Sequence, residues 1–227
     1  MNKGFFVTGT DTEVGKTLVS SGIIKMFADA EQKVVGMKPI ASGALQTAEG
    51  LRNTDAQDLM RQANCEVPYD RVNPYCFEPA IAPHIAAHRV SQRIELEKIL
   101  SAYKALTHSA DVVIVEGVGG WMVPIDGRQT MADVAVQMQL PVIMVVAIRL
   151  GCINHALLTY QSIKASGLEF KGWVANIMDP NVSMVPELLD SIQIKMQEPL
   201  LGLLPPMKDV DADMVSQCLA KDLVEWG

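Results

Sequence analysis

Near the start of the chain, a short apolar run, Phe5-Phe6-Val7, leads into Thr10-Asp11-Thr12-Glu13-Val14-Gly15-Lys16-Thr17. A helical pattern follows, with Leu18, Gly22, Ile23, Met26 and Phe27 on its apolar side. Strand, tight loop, Gly-Lys-Thr and helix together form a phosphate cradle. Its loop amides and helix N-terminus aim donors at an anion. In such a cradle Lys16 reaches the terminal phosphates and the Thr17 hydroxyl ligates Mg²⁺. The spacing is a variant. Five residues, Thr10 to Val14, separate Gly9 from Gly15, where the usual loop has about four. The simpler alternative is a strand-to-helix turn that happens to contain Gly-Lys-Thr.

Six apolar runs read as strands: 5–8, 34–38, 112–116, 142–147, 173–177 and 200–204. Most are continuous, which is the mark of strands buried on both faces of a parallel sheet. Helical periodicities lie between them, in Leu96, Ile99, Leu100, Tyr103 and Leu106, in Met131, Val134, Ala135 and Met138, and in Ile153, Ala156, Leu157 and Tyr160. Alternating strands and helices predict an α/β, doubly wound, mainly parallel sheet with helices on both faces. Ligands of such folds sit beyond the carboxyl ends of the strands. The length of 227 residues fits one P-loop α/β domain spanning 1–227. The proline-rich stretch 64–83 reads as a loop excursion within it.

Bulk properties exclude several function classes. The net charge of −7 comes without a basic stripe, so no nucleic-acid partner is expected. The longest apolar run, Val142 to Ile148, is far short of a bilayer span, and no membrane role is expected. Four cysteines, Cys65, Cys76, Cys152 and Cys218, form no Cys-x-x-Cys pair and read as reduced thiols of a cytoplasmic protein. His84 and His88 are four apart, but Ile85 stands where a zinc-protease motif needs Glu.

The strand exits carry the remaining chemistry. Strand two ends at Lys38-Pro39, with Ser42-Gly43 beyond; Lys38 either stabilises charge on a transferred phosphoryl group or is a solvated strand-end lysine. Strand three ends in Glu116-Gly117-Val118-Gly119-Gly120, an acid placed to hold Mg²⁺ or simply an exposed charge. Asp55 and Asp58 both follow Asn53-Thr54, and nothing in the spacing separates them. The turn Leu150-Gly151-Cys152-Ile153-Asn154-His155 is a second candidate anion pocket or an ordinary turn. Asn176 ends strand five, placed to pair with adenine edges or to cap a turn.

Taken together, the P-loop, Lys38-Pro39 with Ser42-Gly43, Arg52-Asn53-Thr54-Asp55, Glu116 to Trp121, Leu150 to His155 and Gly172 to Asn176 resemble the dethiobiotin synthetase family, in that family's order. The resemblance implies a ligase of biotin synthesis that joins 7,8-diaminopelargonic acid, CO₂ (or bicarbonate) and ATP-Mg²⁺ into dethiobiotin, ADP and phosphate. It implies a substrate amine carbamated by CO₂, a mixed anhydride with the γ-phosphate, and ring closure by the second amine. Thr17, Asp55 and Glu116 become the Mg²⁺ ligands. Glu13, Val14, Gly15, Lys16, Thr17 and Leu18 line the phosphates, with Gly117, Val118 and Gly119 beside them. Asn176, Ile177, Pro205, Pro206 and Met207 lie by the base. Lys38, Lys16 and Thr12 serve the reacting centre, and Ser42 hydrogen-bonds the carbamate or its neighbours. Glu13 would orient the loop or an amine. The family is a homodimer, and Gly151, Cys152, Ile153 and Asn154 would receive the substrate carboxylate of the neighbouring chain. Ile177 and Pro206 depart from the family pattern, in which Asp and an aromatic are frequent there. A rival class is the ATP-dependent switch of the partition and division-site ATPases, but their extra loop lysine is missing at Asp11-Thr12-Glu13-Val14. A cobyrinate-type amidotransferase synthase would need an appended glutaminase domain.

Overall fold

The structure, a computed structural model, describes residues 3–206 and 210–225. In chain order the strands are β1 Lys3–Gly9, β2 Val34–Met37, β3 Ile40–Ser42, β4 Leu45–Thr47, β5 Gly50–Arg52, β6 Tyr75–Phe77, β7 Val112–Glu116, β8 Val142–Ala147, β9 Phe170–Asn176 and β10 Leu200–Leu204. The helices are α1 Lys16–Asp29, α2 Thr54–Gln62, α3 Tyr69–Val72, α4 Pro83–Arg89, α5 Leu96–Thr107, α6 Met131–Met138, α7 Cys152–Ala165, α8 Val185–Met196 and α9 Ala212–Cys218.

Six strands form one sheet in the order β10-β9-β8-β1-β7-β2, with every pairing parallel. The continuous apolar runs have a direct explanation. Successive residues of a strand point to opposite faces, and both faces are covered. Phe6, Val113, Val115, Met144 and Val146 enter a core closed by Ile99 and Leu106 of α5, Val134 of α6, Ala156 of α7 and Ile192 of α8. Phe5, Val7, Ile114, Ile143 and Val145 enter a second core closed by Ile23 and Phe27 of α1, Leu59 of α2 and Val215 of α9. β1 sits mid-sheet between β7 and β8. From it the chain first turns to the β2 edge and later builds outward through β8, β9 and β10. The reversal opens a crevice at the carboxyl end of β1, where ligands of such folds bind.

The expected strands are all present: β7, β8 and β10 keep their expected bounds, and the ends of β1, β2 and β9 shift. β9 begins at Phe170, three residues before the expected start, because Lys171 and Gly172 interrupt its apolar pattern. β2 ends at Met37, and Lys38 leaves the sheet with its N–H donated to the Val72 carbonyl at 2.8 Å. The 64–83 excursion is more ordered than a loop reading allows. It contains α3 and β6, and β6 pairs in parallel with β3. Strands of three residues carry too little periodicity to be seen in sequence. Leu18 also departs from its expected core position, being partly exposed toward the cleft, while Val19 and Ile24 are fully buried.

α1 and α9 approach closely at Gly22, where a Cβ would lie 2.4 Å from Cγ1 of Val215. Gly22→Val should therefore overpack this contact and destabilise the protein by about 1–3 kcal/mol. Chemical denaturation measures it, and an unchanged midpoint would mean that the helices are free to separate.

Candidate active site

The loop between β1 and α1 owes its shape to two left-handed residues, Glu13 at φ 56° and Gly15 at φ 92°. Glu13 costs about 1–2 kcal/mol there, so the loop needs external support. Lys16 Nζ donates to the Asp11 carbonyl at 2.9 Å, and the Thr10 N–H to the Val145 carbonyl at 3.1 Å. From the end of β9, Asn176 Nδ2 donates to the Val14 carbonyl at 3.0 Å. Gly15 is required beneath it, since a Cβ would stand 2.2 Å from that amide nitrogen. Arg149 closes the outer side on Asp11 at 2.9 Å. The loop thus encloses a cation without screening it. Lys16 is 7 % exposed, and burial, with Lys38 nearby, pulls its pKa down to about 8.

Beside the loop lies a buried charged cluster. Lys38 Nζ contacts Glu116 Oε1 at 2.6 Å and Asp55 Oδ2 at 2.9 Å, and donates to the Gly117 carbonyl at 3.3 Å. Thr17 Oγ1 donates to the same Glu116 oxygen at 2.9 Å. Glu116 is fully buried and Lys38 only 3 % exposed. Burial alone would push the Lys38 ammonium down, but the Glu116 and Asp55 carboxylates outweigh it and hold its pKa up. For Asp55, burial works against ionisation, and the Lys38 charge with the Lys38 and Thr17 hydrogen bonds overcomes it, so its pKa is lowered. Two buried polar atoms face the site without a partner: Glu116 Oε2 and the Ser42 hydroxyl. A buried carboxylate oxygen is costly to leave bare, so its vacant side has affinity for a cation or donor.

These groups line a cleft of about 1130 Å³. It gathers Thr12, Glu13, Gly15, Lys16, Thr17, Leu18, Lys38, Ser42, Asp55, Glu116, Val118 and Gly119. Of the two acids that spacing left undivided, Asp55 and not Asp58 pairs with Lys38. Asp58 lies one helical turn further on, paired with Arg61 at the cleft wall. Val14 is buried under the loop, and Gly117 contributes its carbonyl. Asn176 donates its amide to the Val14 carbonyl and so braces the loop before α1. Ile177 is nearly buried, Pro205 and Pro206 are exposed and outside the cleft lining, and Met207 lies outside the described residues. Gly151, Cys152, Ile153 and Asn154 also stand apart from the cleft, at the start of α7. Sequence reasoning missed Met178 and the 210–212 segment, which complete one wall. The single available signal was Asp211, an N-cap whose side chain accepts the Met214 N–H.

Two outcomes follow from this cluster. Lys38→Leu leaves Glu116 buried and unpaired, so stability should fall by about 3–5 kcal/mol, and adding Glu116→Gln should recover most of it. Denaturant melts of the single and double variants check this, and equal loss in both would mean that the pair is not the source. Lys16 is charged below about pH 8 and neutral above it. Nucleotide affinity measured in chelator should therefore weaken as pH rises through 8, by up to about tenfold per unit. A flat titration calorimetry profile from pH 7 to 10 would exclude Lys16 as the anion's partner.

Comparison with known proteins agrees with this geometry. The family model described as an AAA domain matches residues 3–214. ATP-dependent dethiobiotin synthetase BioD of Cellvibrio japonicus is 42% identical over 214 residues, covering 94% of each chain. Its counterpart from Pseudomonas paraeruginosa is 45% identical over 206 residues, covering 90% of each. Among solved structures, the MinC:MinD cell division complex of Aquifex aeolicus superposes with a TM-score of 0.58 at 17% identity, covering 98% of this chain and 89% of that one. A ParA family ATPase from Chlorobium tepidum gives 0.57 at 12%, covering 100% and 98%. These two show the fold alone, the α/β fold of P-loop nucleoside triphosphatases. The sequence relatives go further: the chain belongs to the ATP-dependent dethiobiotin synthetase family, a family of ligases.

Proposed function

We propose that this protein closes the ureido ring of dethiobiotin, from 7,8-diaminopelargonic acid, CO₂ and ATP, with release of ADP and phosphate. The observation that carries the reading is the juxtaposition of two cations, Lys16 and Lys38, with a buried carboxylate that has a vacant oxygen, all at the mouth of one phosphate loop. Phosphoryl transfer asks for positioning and charge neutralisation more than for covalent help. Lys16 leaves the Asp11 carbonyl to take up the terminal phosphates. Lys38 faces the carbamate and the γ-phosphate together and offsets charge as it passes between them. Thr12 and the unpartnered Ser42 hydroxyl supply hydrogen bonds to the carbamate, and Glu13 orients the loop or an amine. Holding both amines and the phosphate in one cleft makes the encounters intramolecular.

Mg²⁺ fits the donors present. Thr17, Asp55 and Glu116 offer hard oxygens, and Mg²⁺ takes few protein ligands, completing its shell with phosphate and water. Among the described residues no cluster of three or more His, Cys, Asp or Glu side chains could hold a metal. When bound, the ion neutralises charge on the phosphate oxygens. The nucleotide base would be met by Asn176, Ile177, Pro205 and Pro206, beyond the cleft lining itself.

The protein acts as a homodimer. Leu150, Leu158 and Met122 are exposed apolar side chains on α7, on the turn before it and on the loop after β7. In that dimer the Gly151 to Asn154 turn would receive the substrate carboxylate across the interface. The free cysteines accord with a cytoplasmic setting, and among the described residues no helix is long and apolar enough to cross a membrane.

Incubation with the diamine, bicarbonate and Mg-ATP should yield a cyclic urea by mass spectrometry, with ADP release requiring both diamine and bicarbonate. Lys16→Gln should lower turnover at least a thousandfold, roughly the 4 kcal/mol that a lost phosphate contact in a dry site costs, with the melting curve retained. Hydrolysis stimulated by a partner protein instead would favour a molecular switch.

A further inference from the structure

Arg52 and Asn53 belong to the motif that carries Asp55, yet neither lines the cleft. Both turn to Tyr69. The Arg52 guanidinium stacks 4.2 Å over the Tyr69 ring. The Asn53 N–H donates to the Tyr69 hydroxyl at 2.8 Å, and that hydroxyl donates to Asn73 Oδ1 at 3.0 Å. Burial pushes the phenol's pKa up, so it remains a donor. Asn73 Nδ2 in turn donates to the backbone carbonyls of Lys38, at 2.7 Å, and Tyr75, at 3.0 Å. On the other side, Asn53 Oδ1 caps α2 by accepting the Ala56 N–H at 3.3 Å, and Asn53 Nδ2 donates to the Ser42 carbonyl at 3.3 Å. Asn53 and Asn73 are 4 % and 3 % exposed.

These bonds form a closed ring. Its front is the Lys38–Asp55 ion pair inside the cleft. Its back runs from the Lys38 carbonyl through Asn73, Tyr69 and Asn53 to the first turn of α2, where Asp55 sits. Substrate and cation binding both draw on the front groups, so the front contact is remade in each turnover. The back consists of neutral hydrogen bonds, buried at Asn53 and Asn73 and half-buried at Tyr69, outside the cleft lining, and it keeps the spacing while the front is open.

We propose that Tyr69 is a positioning residue: its hydroxyl couples the backbone of Lys38 to the capped helix start that carries Asp55. The proposal rests on the assignment of Lys38 and Asp55 to the reacting centre. Groups that act only when aligned within a fraction of an ångström lose rate steeply when misplaced. A hydroxyl two shells from the chemistry then controls turnover more than binding.

Tyr69→Phe keeps the ring under Arg52 and removes only the hydroxyl. Hydrogen–deuterium exchange on the ligand-free protein should quicken about tenfold in segments 38–43 and 53–59 together, with a melting temperature within a few degrees of the parent. Turnover should fall about tenfold while KM for Mg-ATP changes less than threefold. Asn73→Ala should do the same, and the double variant should be no worse than either single, as members of one network behave. Faster exchange confined to 69–73, or additive losses in the double variant, would overturn the proposal. So would kcat and KM changing in step. Coupled exchange in a protein that makes no cyclic urea, mutated or not, supports the ring and overturns the functional reading alone.

Discussion

The buried contact between Lys38 and Glu116 is the constraint around which the site is built. A carboxylate with no solvent exposure at the end of a central parallel strand would be prohibitive alone. Lys38, 2.6 Å away, makes it tolerable, and Thr17 shares the same oxygen. Glu116 comes from β7, Lys38 from the exit of β2 and Thr17 from the first turn of α1. These elements are neighbours because β7 is inserted between β1 and β2. Sheet order therefore sets the charge order. Two lysines and two acids are gathered at one end of the cleft, brought close together by the elements that carry them. Such preorganisation is what charge movement between two anionic groups requires.

Much of this was legible in the sequence, and for a physical reason. Strands buried on both faces leave long apolar runs, and a strand that ends in a functional group shows an abrupt break, as at Val115-Glu116 or Met37-Lys38. The P-loop is contiguous, so its chemistry lies in one short stretch. What was hidden depends on contacts between distant segments. Asp55 could not be told from Asp58, because their difference is that one faces Lys38 across the sheet edge. The β3–β6 pairing joins two three-residue strands far apart in the chain. Asn73 and Tyr69 carry no motif at all, and their importance comes from the bonds that reach Lys38 and Asn53. Asn176 was picked out correctly as a strand-end group, but its partner, Val14, is visible only after folding.

The similarity to MinD and ParA structures concerns the scaffold. In the loop after β1 of this chain, the acid Asp11 is engaged by Arg149 on the turn before α7. Met122 and Leu158, both exposed apolar side chains, line a shallow pocket together with Asp11. Loop and turn are thus tied by an ion pair of modest worth, about 1 kcal/mol or less at the surface, which aligns them without locking them.

The clamp from Asn176 to Val14 bridges 162 positions in the chain. The first seventeen residues spell out a nucleotide loop, yet one of its supports is translated near the end of the described chain. Until β9 is made, the opening strand–helix unit lacks that brace, and local bonds such as Lys16 to the Asp11 carbonyl are left to support the left-handed Glu13. The brace from β9 exists only once that strand has joined the sheet, so the opening loop and the last third of the chain complete one another.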